Sequence, residues 1–159
     1  MKAPGILSLR EARQTDADIL FRWANDPATR RAALNTHTIP WEEHRNWLNQ
    51  KLASTDAKLW IAQGEADQPL GCIRFDTTDK WESAKLSYTV APEARGQGNG
   101  RLMVEAGVGR IRTEHPGLRI IAEVRTDNIP SLRIFRGLSW QETVGLEQLM
   151  LFSSSGETE

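Results

Sequence analysis

With a single cysteine, Cys72, the chain cannot close an internal disulfide, so packing rather than a covalent staple must hold the fold. That thiol sits in the apolar stretch "PLGCIRF", where a buried structural cysteine is the expected state. His37 and His44 find no third ligand at metal spacing, and no metal site is expected. No apolar run approaches the roughly 20 residues that a membrane helix needs. The opening "MKAPGILSLREA" lacks the longer apolar segment of a secretory signal, and a cytoplasmic protein is expected. Charge of one sign is also missing: 20 basic and 21 acidic residues are well mixed and give a net charge of -1, so no basic face for nucleic acid is expected. Repeats and low-complexity linkers are absent as well.

What remains is a chain of 159 residues, 39% hydrophobic and 26% charged, enough for one compact domain and too little for two. "ILSLREA" alternates like a strand, and "TDADILFRWAND" reads as a helix capped by Thr15 or Asp16 and ending near Pro27. "ATRRAALNTHT" looks irregular, and "TIPWEEHRNWLNQKL" predicts a second helix with Pro40 near its first turn. "KLWIAQG", "PLGCIRFD" and "SAKLSYTV" follow as an antiparallel meander joined by polar turns. "RLMVEAGVGRIRTEH" has helical spacing, weakened by Gly107 and Gly109, and Pro116-Gly117 stops it. "LRIIAEVR" is a strongly apolar strand, "NIPSLRIFR" a short helix capped by Asn128, and "SWQETV" with "EQLMLF" a closing pair around Gly145. The pattern predicts a single mixed α/β (α+β) domain over residues 1–152, with a disordered tail at 153–159.

The stretch "APEARGQGNGR" places three glycines at alternate positions between a strand ending at Val90 and a helix starting near Gly100. Such a turn exposes backbone N–H groups beside the positive end of a helix dipole, which suits a pyrophosphate. Arg95 and Arg101 are placed to add charge-assisted bonds to phosphate oxygens. A Walker loop would need Gly-Lys-Ser/Thr, and a dinucleotide fold would open a parallel βαβ unit. Neither fits a meander that precedes the glycines.

Arg95-Gly96-Gln97-Gly98-Asn99-Gly100 resembles the Arg/Gln-x-x-Gly-x-Gly/Ala motif of the GNAT superfamily of acetyl-CoA-dependent N-acetyltransferases. "EVRTDNIPSLRIFRGLSW" is similar to the family's strand, Asn and short helix, so the resemblance runs from about residue 57 onward. It implies a mixed, largely antiparallel sheet of about seven strands flanked by about four helices. It further implies acetyl-CoA as donor, with the backbone of Tyr88, Thr89 and Val90 along the pantetheine arm. Residues 95–101 would hold the pyrophosphate, and Asn128 would contact the cofactor. Two departures stand out: Phe135 occupies the place where many members carry the tyrosine that protonates departing CoA, and "LSW" replaces Leu-Gly-Phe.

Acetyl transfer needs a neutral amine, and a carboxylate is the expected helper. Strand alternation places Glu123 opposite Ile120, Ala122 and Val124, which makes it a candidate base, with a salt bridge as its structural alternative. The resemblance adds that some GNAT enzymes use a glutamate at this position. Glu82, beside Trp81 at the entrance of the central strand, is a second candidate. For the departing thiolate, Ser131 and Tyr88 are candidate proton donors near the start of the helix after Asn128.

Acceptor choice is expected in residues 23–47, where Arg30, Asn35, His37 and Trp41 gather around an irregular connection, joined by Trp81 and Glu82. That region is similar to GNAT enzymes acting on nucleotide-linked amino sugars, and more loosely to ribosomal-protein α-amine acetyltransferases. A CoA-binding protein without catalysis, and a homodimer, are further states the resemblance accommodates.

Overall fold

The computed structural model describes residues 7–156. Its central sheet holds β1 (Ser8–Glu11), β2 (Ala57–Gln63), β3 (Pro69–Asp76), β4 (Ser83–Val90), β5 (Arg119–Arg125), β6 (Gln141–Val144) and β7 (Leu149–Ser154). Five helices flank it: α1 (Ala17–Ala24), α2 (Pro27–Ala32), α3 (Trp41–Ala53), α4 (Asn99–Glu114) and α5 (Ile129–Gly137). The strand order is β1-β2-β3-β4-β5-β7-β6, and every pairing is antiparallel except that of β4 with β5. Among the described residues no helix is long and apolar enough to cross a membrane.

Period-2 patterning divides the core between the two sheet faces. On one face Ile73, Phe75, Ala84, Leu86, Ile120, Ala122 and Val124 pack under α4 and α5 through Val104, Ile111, Leu132 and Phe135. On the other, Leu59 and Ile61 pack under α1 and α3 through Leu20, Trp23 and Leu48. Gly107, which weakens the helix pattern in sequence, is where α4 comes closest to the sheet: a Cβ there would lie 2.5 Å from Ile73 Cδ1. The intrinsic cost of a glycine in a helix, about 1 kcal/mol, is offset by that close approach.

Two sequence expectations need correction. The segment read as irregular begins with α2, because the Asp26 side chain accepts the Thr29 N–H at 3.2 Å and Pro27 supplies the first helical position. The closing strand also runs past residue 152: Ser153 and Ser154 pair with Ile121 and Ile120, and Arg112 Nη2 donates to the Ser154 carbonyl at 2.7 Å. The first residues of the expected opening strand and the last of the expected tail, 1–6 and 157–159, lie outside the described residues.

Candidate functional site

Pairing between β4 and β5 covers only Ser83–Lys85 against Arg119–Ile121. Both strands run on, β4 still bonded to β3 as far as Val90 and β5 still bonded to β7 as far as Arg125. The sheet therefore opens into a fork at the carboxyl ends of two parallel strands, a place where α/β sheets receive ligands.

Beyond the β4 prong, a short 3-10 turn at Pro92–Ala94 leads to the glycines. Gly96 and Gly98 hold φ of 73° and 81°, and a Cβ on either would meet no atom within 4 Å. Conformation rather than crowding thus requires glycine there. Gly100 differs: a Cβ would stand 2.9 Å from Ile134 Cδ1, so its absence lets the first turn of α4 settle against α5 and β4. Asn99 Nδ2 donates to the Ala94 carbonyl at 2.9 Å, and the Gln97 side chain reaches the Glu93 carbonyl, which fasten the turn. Arg101 lies on the exposed first turn of α4 with Glu105 at 3.0 Å.

The two faces of the fork carry different chemistry. Tyr88 follows Ala84 and Leu86 onto the α4–α5 face, where its hydroxyl lies 2.5 Å from the Ser131 hydroxyl. Ser131 is buried in the first turn of α5, whose cap is the Asn128 side chain accepting the Ser131 N–H. Burial raises the Tyr88 phenol above its ordinary pKa, and the Ser131 bond only partly opposes this, so Tyr88 stays a protonated donor. Phe135 is fully buried between Trp140, Phe152 and Tyr88, a core position. Glu123 points to the opposite face, where Lys85 Nζ stands 2.9 Å from its carboxylate. Cys72 is directly opposite Thr89 on that same face, and burial pushes its thiol up to about 11, in keeping with an inert role.

Next to the fork, α1, α2 and the chain to Pro40 form a wall. Arg30 is folded inward, its Nε on the Ala24 carbonyl at 2.6 Å and its Nη1 on the Asn35 and His37 carbonyls. The Asn35 side chain accepts the His37 N–H, and His37 itself is exposed. Trp41 packs edge-on against Phe21 and stacks on His44. His44 is buried and donates from Nε2 to the Ala17 carbonyl at 3.1 Å, a structural histidine. Arg95 does not project into the glycine turn alone: its Nη2 donates to Asp26 Oδ2 at 2.8 Å and to Thr29 Oγ1 at 2.9 Å.

Trp81 and Glu82 are not brought together with the other expected acceptor residues. They precede β4 at the end where it is still paired with β5, the far end of that strand from the glycine turn. There Trp81 stacks on His115 and donates to the Thr55 carbonyl, while the Glu82 carbonyl accepts the Arg119 N–H and seeds the β4–β5 pairing. Conversely, Asp26 and Lys85 were missed. The run Asp26-Pro27-Ala28-Thr29 carries a helix-start signature that would have marked Asp26. Lys85 becomes visible only once β4 is known to lie parallel beside β5.

A glycine turn at a helix start, set beyond a forked pair of parallel strands whose two faces offer a hydroxyl pair and a carboxylate, defines an acyl-CoA-dependent transferase. The chain matches the acetyltransferase (GNAT) domain family over residues 7–139, and it belongs to that family: it is an N-acetyltransferase with acetyl-CoA as donor. Among curated protein sequences none matches significantly. Solved structures share the fold. A domain from Methanocaldococcus jannaschii superposes with a TM-score of 0.82 at 17% identity, covering 95% of this chain and 99% of its own. Spermidine N-acetyltransferase from Vibrio cholerae, in complex with CoA and spermine, gives 0.79 at 13% identity and 92% of each chain. Ribosomal-protein-alanine N-acetyltransferase from Brucella melitensis gives 0.74 at 23% identity, covering 92% of this chain and 96% of its own.

Proposed function

We propose that the enzyme transfers acetyl from acetyl-CoA directly to a primary amine in a ternary complex, and that the acceptor is the α-amine of a peptide. The observation that carries this reading is the separation of the Tyr88–Ser131 hydroxyls and Glu123 onto opposite faces of one fork. The pyrophosphate rests on the backbone N–H groups of residues 95–101, with Asn128 near the pantetheine, whose amides extend along Tyr88–Val90. The thioester carbonyl then sits in the fork. The amine approaches from the Glu123 face, its nitrogen forms the new C–N bond, and its proton passes to Glu123, directly or through water. As the C–S bond breaks, Ser131 donates a hydrogen bond or proton to the sulfur and is itself replenished by Tyr88. A thiol of pKa near ~8.5 needs little more than this, so Phe135 in place of a tyrosine leaves the chemistry intact.

The ion pair to Lys85 supports the choice of acceptor. A carboxylate already neutralised at 2.9 Å is poorly suited to attract a strongly basic cation. At pH 7 about a tenth of a peptide α-amine of pKa ~8 is neutral, against about 0.04% of a lysine-type amine of pKa ~10.4. That difference, roughly 230-fold or ~3.2 kcal/mol, favours the α-amine. A nucleotide-linked amino sugar would draw on Arg30 and Trp41, but Arg30 is engaged by three backbone carbonyls and Trp41 by Phe21 and His44. The likeness to the Brucella ribosomal-protein enzyme points the same way. The test is thiol release from acetyl-CoA with alanine- and serine-initiated peptides, the same peptides blocked at the α-amine, spermidine and a uridine-diphosphate amino sugar. Turnover of the peptides that disappears on blocking is expected. Faster turnover of the amino sugar or of spermidine would overturn the assignment.

A further inference from the structure

Two ion pairs of opposite polarity join the acceptor-side helices to the donor turn. Arg22 of α1 reaches Glu93 at 3.4 Å, and Asp26, at the start of α2, holds Arg95 at 2.8 Å. The first is exposed at both ends, whereas the Asp26 side chain retains only 18% of its exposure. Asp26 is also the cap of α2, so the carboxylate that grips Arg95 is the one that starts the helix. Burial works against the Asp26 charge, but the Arg95 and Thr29 hydrogen bonds outweigh it and hold its carboxyl below the ordinary range.

The rest of the wall is tied to the same point. The Asn25 side chain brackets Ile39, accepting its N–H at 2.8 Å and donating to its carbonyl at 3.0 Å. Arg30 gathers the carbonyls of Ala24, Asn35 and His37. Residues 24–39 are therefore laced into one unit whose link to the glycine turn is the Arg95 guanidinium. That guanidinium uses only Nη2 for Asp26 and Thr29; Nε and Nη1 have no protein partner among the described residues. The Nη1 hydrogens can still bind an anion without releasing the carboxylate held by Nη2.

We propose that Arg95 bridges the donor pyrophosphate to Asp26, so that donor binding positions the acceptor wall and Asp26 acts as a positioning residue for the amine site. This rests on the reading of residues 95–101 as the pyrophosphate cradle. A phosphate on Nη1 restrains the guanidinium, the guanidinium restrains Asp26 and Thr29, and α2 with its following loop loses freedom. Donor binding then improves acceptor binding, and by linkage the acceptor tightens the donor by the same factor.

Hydrogen–deuterium exchange of the full chain with and without CoA tests the bridge without requiring knowledge of the acceptor. In the wild type, CoA is expected to slow exchange in 95–101 and, by about three- to tenfold, in 24–39, the range for one partly exposed charge-assisted bond. Asp26→Asn keeps a capping oxygen for Thr29 but removes the charge; it is expected to retain protection of 95–101 and lose that of 24–39. Thr29→Val weakens the same bridge and serves if Asp26→Asn does not fold. Protection of 95–101 without any change at 24–39 in the wild type, or unaltered protection of 24–39 in both variants, overturns the bridge. Absence of protection at 95–101 overturns the cradle and the bridge together.

Discussion

Replacing Ser131 by alanine removes the hydroxyl nearest the sulfur in the proposed reaction, and its effect can be worked from the structure. The backbone consequence is small, because Asn128 accepts the Ser131 N–H and alanine keeps that group. The chemical consequence is the loss of one hydrogen bond to a developing thiolate, about 1.5–3 kcal/mol for a charged acceptor. A leaving group of pKa ~8.5 tolerates partial stabilisation, which places the loss toward the lower end, about ten- to fiftyfold in kcat. The KM for acetyl-CoA should change little, since the interaction grows only as the C–S bond breaks. Tyr88→Phe is expected to lower kcat less. It should lower stability more, by about 1–3 kcal/mol, because it leaves the hydroxyl of Ser131, a buried residue, without its partner. In the double variant both hydroxyls are gone, and the stability losses should fall short of additive by about 1 kcal/mol. Steady-state thiol release and urea unfolding on the four proteins measure both cycles. A Ser131→Ala enzyme within about twofold of wild-type kcat would refute the role given to the pair.

Glu123→Gln is expected to lower kcat at neutral pH, with partial recovery as pH rises and more of the amine becomes neutral by itself; a pH–rate profile unchanged in shape would take Glu123 out of the mechanism. Gly107→Val drives branched atoms into the space held by Ile73 and Phe75, and should cost about 2 kcal/mol, or roughly 4–8 °C in Tm for a domain this size. An unaltered melting temperature would contradict the close approach of α4. Burial holds the His44 imidazole below its ordinary pKa, against the opposing pull of the Ala17 carbonyl. The unfolded chain therefore binds a proton that the folded one resists, and stability should fall as pH drops below about 6.5. His44→Phe should flatten that decline in urea midpoints, and an equal slope in both proteins would assign the decline elsewhere.

Features encoded within one element were legible in the chain. The alternation of "LRIIAEVR" separates Ile120, Ala122 and Val124 from Glu123, and the structure places them on opposite faces. The glycine turn, the Asn128 cap and the meander are similarly local. What escaped depends on which distant segments meet. Glu123 could be recognised as an acid in an apolar strand, but its Lys85 partner follows from β4 and β5 lying parallel, a relation no local pattern records. Trp81 and Glu82 adjoin the right strand at its wrong end, because adjacency in sequence does not reveal which end of a strand opens. In the sequence Arg95 shows only its charge, because its carboxylate partner lies 69 positions earlier in the chain. The carbonyl partners of Arg30 are hidden for a related reason: backbone carbonyls that engage an arginine carry no signature in the sequence.

The fork also bears on how long the protein survives in a cell. Past Lys85 and Ile121 the facing edges of β4 and β5 lack each other as ladder partners, an interior seam that a sheet ordinarily does not leave open. In the proposed donor placement the pantetheine arm lies in that seam and completes the sheet as an added strand would. The donor is then also a folding ligand: at a concentration about 100 times its Kd it adds about 2.7 kcal/mol to the native state, roughly 5–11 °C of melting temperature. A cell whose acetyl-CoA and CoA pools collapse would thus lose turnover first and then, through proteolysis of the loosened seam, the enzyme itself.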